Sequence, residues 1–275
     1  MKKKLPTIIL ILILIAGLSL LLYPTISDYI NSLNQSRAIS DYVDAVENLD
    51  EDTYERLWNN AVEYNQKLIK RNNRYRMTAE ERADYESQLD VSNSGIMGYV
   101  DIPSIKCTLP IYHGTDEAVL QIAVGHIDIS SLPVGGESSH CVISGHRGLP
   151  SARLFTDLDK MTEGDLFMLR ILDETLTYEV DQIRIVMPDE VSSLEIAEGK
   201  DYCTLVTCTP YGVNTHRLLV RGHRVDNQEI SKGAQVTADA MQIEPLLVAP
   251  VIAVLILIVL MVYLFIKSKI RKNRE

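Results

Sequence analysis

The sequence contains no CxxC pair and no cysteine–histidine cluster at metal-ligand spacing, although it has four cysteines: Cys107, Cys141, Cys203 and Cys208. Zinc and iron–sulfur sites are therefore not expected. No internal repeat is present, which sets solenoids and propellers aside. Proline is missing from the whole stretch between Pro24 and Pro103. Basic residues are in deficit over residues 25–244, where 36 acidic residues face 19 basic ones, a net formal charge of −17 against −10 for all 275 residues. Such a surface repels a nucleic-acid backbone, so no nucleic-acid partner is expected. Charge of either sign is absent from two runs, residues 5–24 and 245–266.

Each apolar run has about the 20 residues that a helix needs to cross a bilayer. The first is too long for the apolar part of a cleaved signal peptide, and its small residues, Ala16 and Gly17, lie inside the run; a retained anchor is the favoured reading. Lys2, Lys3 and Lys4 precede the first run, and Lys267, Lys269, Arg271, Lys272 and Arg274 follow the second. The positive-inside bias then puts both termini in the cytoplasm and residues 25–244 on the extracellular face. That compartment permits disulfides without requiring one.

Between the spans the pattern changes once. Ile26, Tyr29, Ile30 and Leu33, then Ile39, Tyr42, Val43 and Val46, recur at helical spacing. A second helix is expected from near Asp52, with Glu55 completing a capping box. Its stripe of Tyr54, Leu57, Trp58, Ala61, Tyr64 and Leu68 is expected to pack on the main domain. Residues 71–94 read as a linker or short helix, and residues 226–244 as a polar tether. From 95 to 225 short β-rich segments alternate with Gly and Pro turns: IMGYVDI, CTLPIY, HCVISG, LFMLRI, LTYEVDQIRIV, YCTLVTC and RLLVRGHR. No long helical pattern separates them. The expected fold is mainly β, a closed or nearly closed barrel with short helical inserts.

Three segments carry candidate chemistry. Cys208 ends the run YCTLVTC, just before a turn forced by Pro210 and Gly212. A thiol there is either a nucleophile at a strand end or an inert core residue. His146 follows another apolar run, and Gly145 and Gly148 beside it leave room for a ligand backbone to approach. Arg217 opens the next run nine residues after Cys208, a spacing that lets a hairpin bring the two face to face. Arg221, Arg224, His216 and His223 compete with it. A thiolate, an imidazole and a guanidinium make a workable set for acyl transfer. No Asp or Asn is visibly placed to complete a triad.

The segments GIMGYVDIP, LPIYHGT, VGH, SLPVGGESSHCVISGHRGLPSARLFTDLDK, GDLF and TLVTCTPYGVNTHRLLVRGHR, with the two flanking spans, closely resemble the sortase family, in particular its class C, pilus-assembling members. The family's TLxTC signature reads TLVTC here. The resemblance implies an eight-stranded sortase-type β-barrel, with Cys208 as nucleophile, His146 as acid/base and Arg217 as the oxyanion or positioning group. It implies cleavage of an LPxTG-like sorting motif between Thr and Gly through a Cys thioester. A pilin lysine amine would then take the acyl group, with no metal or organic cofactor. Two alternatives are a housekeeping sortase, which runs the same chemistry with the amine of the peptidoglycan cross-bridge, and a hydrolytic membrane cysteine protease, which would release the donor carboxylate. A third is a non-enzymatic scaffold.

One departure is visible. The Asp-Pro-aromatic lid of class C sortases cannot occur in a stretch without proline, so the cleft is expected to be more accessible than in lidded relatives. Asp84–Tyr85 is the nearest imitation, with Tyr75 and Arg76 behind it. Cys141 and Cys203, each five residues before His146 and Cys208, are expected to be independent core thiols, close together if their strands are parallel neighbours. His126 is expected near the cleft mouth, His113 in a loop, and His140 in a structural role.

Overall fold

The computed structural model describes residues 5–71 and 76–227. The polar tether beyond residue 227 and the second apolar run at 245–266 lie outside the described residues, as does Tyr75. Two helices lead the chain: α1 (Leu5–Glu47) and α2 (Glu51–Ile69). Among the described residues α1 alone is long and apolar enough to cross a membrane. It does not stop where the apolar run stops. The helix continues through Pro24 and six further turns, so one continuous helix joins the apolar segment to the barrel.

The start of α2 differs from the expected capping box. Asp50, not Asp52, is the N-cap: its carboxylate accepts from Thr53 N at 2.8 Å, and Glu51 and Asp52 fall in the first turn, where acidic side chains favour the helix dipole. The apolar stripe packs inward as expected, with Leu57, Ala61, Tyr64 and Leu68 buried in the main core. Asn65 is buried among them and exchanges two hydrogen bonds with the Leu132 backbone, 2.7 and 3.1 Å. Burying an amide is tolerable when its polar atoms are paired in this way. A third helix, α3 (Ala79–Ser87), starts in a complete capping box between Thr78 and Glu81.

Eight strands then close a barrel: β1 (Ile96–Ile102), β2 (Cys107–His113), β3 (Val124–His126), β4 (Ser139–Ser144), β5 (Leu166–Ile171), β6 (Glu174–Val186), β7 (Asp201–Thr209) and β8 (His216–Val225). A four-residue helix, α4 (Glu117–Leu120), lies between β2 and β3. Around the barrel the order is β1-β2-β3-β4-β7-β8-β6-β5. All neighbours are antiparallel except β2/β3 and β4/β7. Closure leaves no sheet edge exposed. Inward residues such as Val100, Ile111, Ile143, Phe167, Leu169, Leu205 and Val220 form one core that α2 and α3 extend.

The sequence reading missed β3, whose three residues are too short for any alternation to show. It joins β2 in parallel across α4, a small crossover unit. Gly125 in this strand is obligatory on space grounds: a Cβ there would stand 2.0 Å from the Gly114 carbonyl oxygen.

Candidate active site

Three neighbouring strands converge on Cys208. β7 and β8 form a hairpin whose register pairs Cys208 with Arg217 and Thr209 with His216. The turn is closed by hydrogen bonds from Val213 N and Asn214 N to Pro210 O, 3.1 and 2.9 Å. Gly212 sits in it at φ +74°, where a side chain would be strained. On its other side β7 runs parallel to β4, with Ser144 opposite Val206. That pairing continues past the strand end. Gly145 N donates to Val206 O at 3.0 Å, and the Thr207 hydroxyl donates to Gly145 O at 2.8 Å. The next residue, His146, therefore leaves β4 at the level of Cys208.

The loop after His146 is folded back on itself. Phe155 N donates to His146 O at 3.1 Å, Gly148 N donates to the Thr156 hydroxyl at 3.1 Å, and Leu149 bridges to Ala152. Ala152, Leu154 and Phe155 anchor it in the core. The two glycines serve this packing. A Cβ on Gly145 would stand 2.7 Å from the Phe155 ring and 2.8 Å from Val124 Cγ1, and Gly148 has φ +75° with the Tyr211 ring 3.0 Å from where a Cβ would be. This replaces the reading in which the glycines admit a ligand backbone.

The thiols sort by burial. Cys141 and Cys203 are register partners on β4 and β7, both fully buried and both free. Burial pushes Cys203 well above the ordinary thiol value and Cys107 up to about 12; Cys107 also donates to Leu154 O. A thiol that cannot ionise is a poor nucleophile. Cys208 is half-buried, at a strand end level with the point where His146 leaves β4.

The basic competitors also separate. Arg221 is gripped by both oxygens of Asp181, each at 2.9 Å, and lies over the Tyr202 ring at 4.2 Å. Arg224 packs toward Tyr178, 5.7 Å from the ring centroid. His216 bonds to the Thr215 hydroxyl, and His223 lies opposite Tyr202, away from the hairpin tip. Arg217 donates only to the carbonyls of Asn214 and His216, 3.2 and 3.1 Å, and among the described residues no carboxylate pairs with it. Its charge stays available at the hairpin tip.

Two residues near His146 had not been singled out. Glu117 on α4 brings Oε2 to 4.0 Å from His146 Nε2, while Gln121 donates to its other oxygen. It lies 29 residues before His146, and nothing local marks it. Arg147, adjacent to His146, is nearly buried; it pairs with Asp159, reaches the Thr209 hydroxyl at 3.4 Å and lies 5.8 Å from the Tyr211 ring centroid. Its place in the GHRG segment was the available signal.

The other histidines are structural. His126 is fully buried, not at a cleft mouth: Nδ1 faces the Tyr85 hydroxyl at 2.9 Å and Nε2 faces Ser131 O at 2.8 Å. His113 lies between Gly95 O and Gln88 O, 3.0 and 2.7 Å. His140 bonds to Thr204 and Glu195. Tyr85 does not plug a cleft at Cys208. Its ring packs on those of Tyr64, His113 and His126, and its hydroxyl also accepts from Gly114 N at 3.0 Å. Asp84 bonds to Gln88 and so stays on its own helix.

The sortase domain family matches residues 100–225. Among solved structures, sortase C1 from Streptococcus agalactiae is 58% identical with a TM-score of 0.68, covering 70% of this chain and 99% of that one. Sortase C from Streptococcus pneumoniae, described with respect to catalysis and pilin substrate specificity, is 43% identical with a TM-score of 0.63, covering 69% and 97%. Sortase C from Clostridium perfringens, solved with the C-terminal cell wall sorting motif, is 43% identical with a TM-score of 0.59, covering 70% and 99%. Sortase D from Bacillus subtilis is 33% identical over 131 residues, which are 46% of this chain and 63% of that relative, so the match spans less than two thirds of it. The closed eight-stranded barrel, the hairpin bearing Cys208 and Arg217, and near-complete coverage of sortase C1 at 58% identity together make this chain a member of the sortase family, among its class C proteins.

Proposed function

We propose that this protein is a membrane-anchored transpeptidase that joins pilin subunits. The Cys208 thiolate attacks the Thr carbonyl carbon of an LPxTG-like motif. Arg217 stabilises the oxyanion of the tetrahedral intermediate. As the Thr–Gly bond breaks, His146 gives a proton to the departing Gly amine, leaving a thioester on Cys208. A pilin lysine amine then attacks the thioester, its proton passes to His146, and the thiolate is released. One peptide bond is exchanged for one isopeptide bond, so no ATP is consumed.

The observation that carries this reading is the direct pairing of Cys208 with Arg217 on β7 and β8, with His146 leaving the next strand at the same level. Cys208 is also half-buried at a strand end, whereas burial holds Cys107 and Cys203 in the thiol form. The pilin acceptor is supported by the class C relatives, one of them described for pilin substrate specificity and another solved with a sorting motif. The anchor is α1, with a second span at residues 245–266 and the barrel on the extracellular face. Holding enzyme and membrane-bound donor on one surface raises their effective concentration.

The test is to incubate the chain with an LPxTG-like peptide and candidate pilins and follow Cys208 by intact-mass spectrometry. A thioester followed by a lysine isopeptide is expected. Continued cleavage by the Cys208→Ala variant would overturn the assignment. Transfer to a cross-bridge amine in preference to pilin would make it a cell-wall-anchoring sortase, and release of free carboxylate with pilin present would make it a hydrolase.

A further inference from the structure

The part of α1 just beyond the apolar run reaches both chain segments that flank His146. Asp28 Oδ1 accepts from Arg153 N at 2.8 Å, and Asn31 Nδ2 donates to Ser151 O at 2.7 Å. One turn further, Gln35 Nε2 donates to Ile122 O at 2.6 Å. Ser151 and Arg153 belong to the loop that folds back so that Phe155 N holds His146 O. Ile122 follows α4, whose Glu117 stands 4.0 Å from His146 Nε2.

The loop is thus held from two sides. Ala152, Leu154 and Phe155 point into the barrel core, while the backbone polar groups of Ser151 and Arg153 go to the helix. Contact between the helix and this side of the barrel is not close-packed. A cavity of about 320 Å³ opens between them, lined by Asp28, Ser32, Gln35, Lys106, Arg153 and Asp157 among others. On the helix side, then, hydrogen bonds rather than close apolar packing hold the loop. At 1.5 Å per residue, Asp28 stands about 6 Å and Gln35 about 17 Å along the helix from Pro24.

We infer that Asp28, Asn31 and Gln35 are positioning residues for His146, so that the membrane-exit segment of α1 is a working part of the active site and not a passive tether. The helix sets both the aim of the imidazole and its height above the bilayer. The donor it serves is one whose sorting motif is presented within roughly three helical turns of the lipid surface. This rests on the acid/base role proposed above for His146.

The experiment uses the full chain in lipid nanodiscs and measures the rate of Cys208 thioester formation from an LPxTG-like peptide, with thermal unfolding alongside. The Asp28→Ala/Asn31→Ala double variant is expected to lose about tenfold in maximal rate, with KM and unfolding temperature nearly unchanged. Asp28→Asn should retain wild-type rate, because its amide oxygen still accepts from Arg153 N. Asn31→Asp should be as slow as Asn31→Ala, because a carboxylate cannot donate to Ser151 O. Ser32→Ala, on the same helix but outside the three contacts, serves as the unaffected control. A double variant within twofold of wild type overturns the inference. So does a loss that tracks the folded fraction, or an Asp28→Asn variant as slow as Asp28→Ala. If the wild-type chain forms no thioester, the proposed function itself fails, and this inference with it.

Discussion

Cys208 on β7 and Arg217 on β8 are register partners across a hairpin closed over Pro210, and the guanidinium rests on the carbonyls of Asn214 and His216 with no carboxylate partner among the described residues. An unneutralised cation facing a strand-end thiol suits charge that appears only during reaction, because a resident carboxylate would compete with the oxyanion. Arg217→Ala is expected to reduce kcat/KM about 10²–10³-fold, the range for removal of one oxyanion donor. Arg217→Lys should recover little, since a point charge cannot reproduce the planar fork. Steady-state kinetics with an LPxTG-like peptide checks both. Arg221→Ala, which breaks the Asp181 pair instead, should cost folding stability before activity.

Glu117 faces His146 Nε2 at 4.0 Å but is three-quarters exposed. Solvent screens such a pair, so Glu117→Gln is expected to lower kcat/KM by no more than about threefold. The difference should fade in 0.5 M salt, where the Debye length falls to about 4 Å. A tenfold loss that persists in high salt would show that the carboxylate does more than bias the imidazole.

Tyr85 fastens α3 to the barrel through its hydroxyl contacts with His126 and Gly114 N. Tyr85→Phe leaves those buried groups unpaired and is expected to cost about 1–3 kcal/mol in unfolding free energy, read from urea denaturation. Activity of the folded fraction should be unchanged, because the ring packs against His113 and His126 and away from Cys208. A rise in turnover in a Tyr85→Ala variant would instead indicate that Tyr85 restrains the cleft.

Asp157 lies in the loop that α1 touches and pairs with Lys160 and Arg153. Burial alone would raise its pKa, but hydrogen bonds and charge from those two residues outweigh burial and hold the carboxylate below its usual range. The folded state therefore favours the ionised form. The stability this contributes is complete above about pH 4, the unfolded value, and is lost as pH falls through the lower folded value. Thermal unfolding of wild type and Asp157→Asn should differ by about 0.5 kcal/mol at pH 7 after allowance for screening, with the gap closing toward pH 3. A gap that is constant over that range would mean packing, not charge, is at stake.

Much of this protein was settled by short-range sequence. Strands at 96–102 and 166–171 matched the segments read from β-rich runs between turns, because turn residues and side-chain pattern act within a few positions. The hairpin joining Cys208 to Arg217 was legible for the same reason: nine residues with Pro210 and Gly212 between them permit little else. Tertiary structure decided what lies further apart. Parallel pairing of β4 with β7 brings His146 to the level of Cys208 across 62 positions, and a parallel neighbour leaves no turn in the sequence to announce it. The same holds for Glu117, for the burial of His126 and Tyr85, and for the bonds from Asp28, Asn31 and Gln35 to backbone groups about 90–125 residues away. Those bonds form because barrel closure fixes where each loop emerges. No property of the individual residues encodes that position.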